Sequence, residues 1–196
     1  MLTKTLLPAL AALFSLTSAQ NYPDQSAPFS LKISDAADAS LNNKYLYACH
    51  SGAAIEQLCL GDKAEHADAY STYYHNTSEW SSGTGTLVWN LPYSDGIASS
   101  GLTFAYNPAS NVVLSYFIPG DSNAVRIGFN EENKLFVPAY IDDVLTPGGE
   151  KPFYNWEVCT TQFSGYRYQA LAWVTVGTPV TGSWGCVSVN VTKEAI

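Results

Sequence analysis

The chain has 196 residues, 46% of them hydrophobic and only 13% charged, with 13 Tyr, 8 Phe and 5 Trp. Disorder is excluded, because it needs low hydrophobicity and high charge, and the length suits one domain with a sizeable core. A formal net charge of −8 repels phosphate backbones and anionic lipid, so neither nucleic acid nor a membrane surface is an expected partner.

The chain begins with one charge at Lys4, an apolar run over 5–16, and Thr17-Ser18-Ala19. A positive start, a short apolar core and small residues before the cut describe a secretory signal peptide over 1–19. The run is shorter than the roughly 20 residues that a spanning helix needs. The expectation is a secreted, extracellular, soluble monomer. Residues 20–28, polar with Pro23 and Pro28, read as an extended lead-in, and 29–196 as a single β domain.

Within that domain, residues 29–33 alternate as a strand with Phe29, Leu31 and Ile33 inward. Residues 34–43 read as loop, 44–50 as strand, and 53–60 as strand or a single turn. Residues 61–85 are the least patterned stretch, and a loop that long is either functional or mobile. Residues 86–91 return to strand, with Leu87, Trp89 and Leu91 on one face. A four-strand meander follows over 101–107, 112–118, 124–130 and 134–141, the second strand apolar on both faces and therefore central. Residues 153–163, 169–176 and 186–192 complete about eleven strands. The predicted fold is all-β, an antiparallel two-sheet β-sandwich of jelly-roll type, with a β-trefoil or other β-barrel as the alternative.

Four cysteines stand outside the leader, and an even number in a secreted chain implies disulfides. The expected pairs are Cys49–Cys59 and Cys159–Cys186. Strand parity supports the second: Cys159 shares a face with Asn155 and Glu157, and Cys186 with Ser188 and Asn190, each opposite an apolar face. Two sequons, Asn76-Thr77-Ser78 and Asn190-Val191-Thr192, are candidate glycosylation sites.

Catalytic signals are weak. Cys49-His50 and Gly120-Asp121-Ser122 look like protease fragments, but Asn123-Ala124 stand where oxyanion-hole glycines belong, and no GxSxG elbow exists. Glu65, His66, Asp68 and His75 are metal-ligand types without zinc spacing, so neither metal nor cofactor is expected. Among the carboxylates, Glu131, Glu132, Asp142 and Asp143 read as turn residues. Glu157 has no assignable partner across a scissile bond. No catalytic residue is assigned.

Aromatic residues carry the binding alternative. Sugar rings have apolar C–H faces that stack on Tyr and Trp, and Tyr70, Tyr73, Tyr74, His75 and Trp80 bring those types together in the 61–85 loop. The competing reading is a satellite cluster packed on the sheet edge. Trp89, Trp156 and Trp173 lie on strands and read as core.

The run from Lys44 to Ala54 (KYLYACHSGAA), Leu58-Cys59-Leu60, Trp156-Glu157-Val158-Cys159 and Ala172-Trp173-Val174 resembles a group of small secreted fungal proteins of unknown function. The resemblance covers most of the chain after the leader and implies no activity or catalytic residue. The sequence thus points to a non-catalytic extracellular or cell-surface protein whose partner is an extracellular polysaccharide or cell-wall glycan. A small secreted carbohydrate-active hydrolase is the alternative.

Overall fold

The computed structural model describes residues 22–63, 68–141, 149–179 and 185–196. The leader, Glu65, His66, Asp142 and Asp143 lie outside the described residues. The described chain is built from strands, with short 3₁₀ turns at Ala39–Leu41 and Asp68–Tyr70. None of its helices is long and apolar enough to cross a membrane.

The strands in order are β1 (Asp24–Gln25), β2 (Phe29–Ser34), β3 (Tyr45–Gly52), β4 (Ile55–Gly61), β5 (Tyr73–Thr77), β6 (Thr84–Tyr93), β7 (Gly96–Ala105) and β8 (Val112–Pro119). They continue with β9 (Arg126–Phe129), β10 (Leu135–Tyr140), β11 (Glu150–Phe153), β12 (Trp156–Phe163), β13 (Tyr166–Val174), β14 (Val187–Ser188) and β15 (Asn190–Ala195). Hairpin turns follow local chemistry. Between β12 and β13, Ser164 and Gly165 both take positive φ (51° and 86°), as a two-residue turn matched to the strand twist requires.

The two-sheet sandwich is overturned. Among the described residues, eight strands close into a barrel and seven more lie outside it. The ring runs β5-β2-β3-β4-β13-β8-β7-β6, and the pairing of β6 with β5 closes it. Closure removes sheet edges that a sandwich would have to protect. The closing strand β5 lies inside the stretch that reads as loop. It pairs Tyr73 with Phe29 on β2, and Tyr73 to Thr77 with Trp89 to Gly85 on β6. The expected meander is also broken: β7 and β8 pair, but β9 leaves β8 and pairs with Thr84–Thr86 of β6 and with β10.

Side chains of one parity fill the interior. Leu31, Ile33, Leu46, Leu58, Tyr73, Leu87, Trp89, Leu102, Val113, Phe117, Leu171 and Trp156 belong to one buried cluster. Each ladder contributes alternate residues, as a small barrel needs. Tyr73 stacks on Phe117 at 5.6 Å, and Trp156 meets Trp173 edge-on at 4.8 Å. Strand β8 is central, between β7 and β13.

Both disulfides form as paired from the sequence, Cys49–Cys59 and Cys159–Cys186. Their faces differ from expectation. Cys159 does point away from the main core, yet it is fully buried in a second cluster with Val112, Ala172 and Val174. The second face of β12 and β13 is covered, not solvated.

Candidate functional site

The 61–85 stretch is not one surface. Its 3₁₀ turn Asp68–Tyr70 is fixed to the barrel by the Trp89 indole, whose Nε1–H donates to the Ala69 carbonyl at 2.8 Å. The Tyr70 ring lies against Trp89 at 5.9 Å. Strand alternation then sends Tyr73 and His75 inward, and Tyr74 and Asn76 to the other face. Tyr73 is 0% exposed and is a core residue, closed to any ligand. His75 is buried edge-on against Phe129 at 5.4 Å, with no partner for its Nε2 among the described residues. Tyr74 is half-buried, whereas Trp80 is 85% exposed. Strand β5, which spans about 13 Å in four steps of roughly 3.3 Å each, lies between Tyr70 and Trp80 in the chain. The five candidate binding residues therefore do not gather.

What does gather is a polar cleft of about 460 Å³, lined by Ser30, Lys63, Asp68, Ser71, Thr72 and Ile196. Ser30 is 1% exposed, and its Oγ has no hydrogen-bond partner among the described residues. A buried hydroxyl without a partner costs stability unless something completes it. The turn below is tied down: the Asp68 carbonyl accepts from Ser71 N at 3.1 Å and from Thr72 Oγ1 at 2.7 Å. The Lys63 ammonium stands over the Tyr45 ring at 5.2 Å. A lysine, an aspartate, two serines and a threonine thus line one concavity next to half-exposed Tyr70. Sequence reading placed Asp68 in the right stretch but missed Ser30, because the other lining residues, Lys63 to Thr72 and Ile196, are distant from it in sequence.

The acids are elsewhere. Glu157 faces the covered side of β12, opposite Ala172 and Ser188, and burial raises its pKa. Glu56 is buried at the β3–β4 hairpin, where burial raises its pKa against the opposing pull of His50, whose Nδ1 is 3.3 Å away. Neither carboxyl lines the cleft. Among the described residues no three His, Cys, Asp or Glu side chains cluster to hold a metal. The sequon residues differ too. Asn76 is only 8% exposed, with its Oδ1 accepting from Gln25 of β1, while the half-buried Asn190 donates its amide to exposed Asp35 at 3.2 Å.

A family model covers residues 26–195, nearly all of the described chain. The chain belongs to the DUF7907 family. That family's description is a domain of unknown function, which assigns no chemistry to the cleft. No curated protein and no solved structure matches the chain.

Proposed function

We propose that the protein is exported and acts outside the cell as a non-catalytic glycan-binding β-barrel. The leader pattern of residues 1–19, two disulfides and the resemblance to small secreted fungal proteins support export. The observation that carries the binding reading is the polar cleft, which Lys63, Asp68, Ser71 and Thr72 line together with Ser30, a buried serine whose Oγ has no partner among the described residues. Sugar hydroxyls both donate and accept, so a mixed set of hydroxyl, ammonium and carboxylate matches them. The net charge of −8 disfavours polyanionic partners such as nucleic acid or anionic lipid.

The test is retention of the secreted protein on polysaccharides and cell-wall fractions, with product analysis of the same samples. Asp68→Asn and Lys63→Ala are expected to weaken retention by about tenfold each, with no sugar released. No retention by the parent, or retention indifferent to both variants, sinks the reading. A hydrolase reading has one observation behind it, the burial-raised carboxyl of Glu157, which suits a general acid. It predicts sugar release that disappears in Glu157→Gln.

A further inference from the structure

A second concavity, sharing no lining residue with the polar cleft, has the opposite chemistry. Strands β7 and β13 run parallel to each other, because each pairs antiparallel with β8 between them. Their C-terminal ends therefore emerge at the same end of the barrel. The penultimate residues there are Phe104 and Trp173, whose rings stack at 5.8 Å with an interplanar angle of 18°. Trp156 backs both edge-on, at 6.0 and 4.8 Å. The hairpin of β10 and β11 stands outside the ring beside this aromatic pair, and between them lies a pocket of about 310 Å³. Val125, Val137, Ala139 and Phe153 complete the walls, and Tyr106, Asn155 and Thr175 also line it.

The polar groups of this pocket are few and already oriented. The Asn155 amide donates to the Val174 carbonyl at 3.1 Å, which turns its Oδ1 into the free end. Thr175 Oγ1 donates to the Asn111 carbonyl at 3.2 Å, which leaves it lone pairs only. The pocket thus offers acceptors from Asn155 and Thr175, and among the described residues its lining contains no Lys, Arg, His, Asp or Glu. Tyr106, 72% exposed with its ring edge-on to Phe104 at 6.4 Å, stands at the open side.

We propose that this pocket is a binding site for a small, neutral, flat aromatic molecule carrying one hydroxyl donor, of the phenol or naphthol class. A flat ring gains from the Phe104–Trp173 pair and the aliphatic walls. Its single O–H finds the acceptor of Asn155 or Thr175. A charged ligand meets no counter-ion among the described lining residues, and a sugar leaves most of its hydroxyls unpaired against Val125, Val137 and Ala139. The volume lies at the small end of the usual range for ligand sites, about 300–1,000 Å³, and so limits the ligand to a few fused rings. The proposal is independent of glycan binding at the polar cleft.

The test uses 2-naphthol as probe, with 2-methoxynaphthalene as the analogue lacking a donor and 2-naphthalenesulfonate as the charged one. Binding is read by calorimetry and by two-dimensional NMR of the full folded chain. The expected result is one saturable 2-naphthol site per chain, with the methoxy analogue at least about fivefold weaker and the sulfonate weaker still. Ala139→Trp, at an exposed wall position, fills the pocket and is expected to abolish binding. Tyr106→Ala, exposed enough to leave the fold intact, is expected to weaken it about threefold or more. Asn155→Ala is expected to erase the preference for naphthol over its methyl ether. The proposal is overturned if 2-naphthol shows no saturable site, or binds equally well to folded Ala139→Trp. Equal affinity for all three probes overturns it as well.

Discussion

His75 is a titratable group placed where it cannot easily take a proton. Burial, with the Lys193 ammonium adding to it and a backbone hydrogen bond at Ile127 opposing, lowers its pKa from the ordinary 6.5 to about 4. Unfolded His75 protonates as pH falls through about 6.5, while the folded residue resists until about 4. Stability therefore declines across that window on acidification, by on the order of 3 kcal/mol. Glu56, buried, and Glu157, half-buried, have the opposite sign. Their raised folded pKa values favour the native state below the ordinary carboxylate range, and that gain is lost as pH rises through them. The parent's thermal midpoint is expected to fall between pH 6.5 and pH 4, and His75→Gln to flatten that slope. An identical slope in both proteins contradicts the assignment. The same scale separates the two sequons. A glycan on Asn76 has to displace β1, whereas Asn190 gives up only an exposed hydrogen bond to Asp35. If the protein is exported and either asparagine carries sugar, Asn190→Gln is expected to remove the glycosidase-sensitive mass and Asn76→Gln to leave it.

At the level of elements, the closing seam between β5 and β6 is packed backbone against backbone at Gly85. A Cβ on Gly85 would overlap the Asn76 carbonyl, a backbone atom that cannot rotate away. Gly85→Ala is therefore expected to destabilise the protein by at least about 2 kcal/mol in denaturant titration, and a neutral result would mean the seam is looser than described. The two disulfides hold different seams. Cys49–Cys59 bridges the β3–β4 hairpin across 10 residues, while Cys159–Cys186 ties the segment before β14 to β12 across 27. Chain-entropy estimates give about 2.7 and about 3.6 kcal/mol respectively. Paired Cys→Ala replacement is expected to cost more at 159/186 than at 49/59, provided the unfolded chains are otherwise alike.

Element by element, the legible parts of the sequence are those whose pattern is local. The alternation of Phe29, Leu31 and Ile33 and the double-sided apolar run of β8 both predict strands that form. Tyr73–Thr77 was not legible, because YYHNT mixes inward Tyr73 and His75 with outward Tyr74 and Asn76, all polar or amphipathic, so no apolar period shows. Its strand character comes from partners on β2 and β6 that are remote in sequence. The candidate site was legible only at Asp68 and Tyr70. Ser30 reads as an ordinary outward serine until the fold buries it without a partner.

At the scale of the whole molecule, the polar cleft and the apolar pocket share no lining residue and differ in chemistry. If the polar cleft holds glycan, Tyr70→Ala is expected to weaken retention, since Tyr70 sits between Asp68 and Ser71. Trp80→Ala, on the far side of β5, is expected to leave it unchanged; the reverse result would move the glycan surface to the β5–β6 turn. Composition and spacing alone determined an all-β chain, a cysteine count that implies two disulfides, and three core tryptophans, because strand propensity, side-chain parity and cysteine number are properties of short segments, while the structure gave the pairing. Only the tertiary structure decided between sandwich and barrel, and which polar side chains share a cleft. Closure depends on whether β6 returns to β5, a non-local pairing whose energy is written in the contacts of distant strands and not in the pattern of either one.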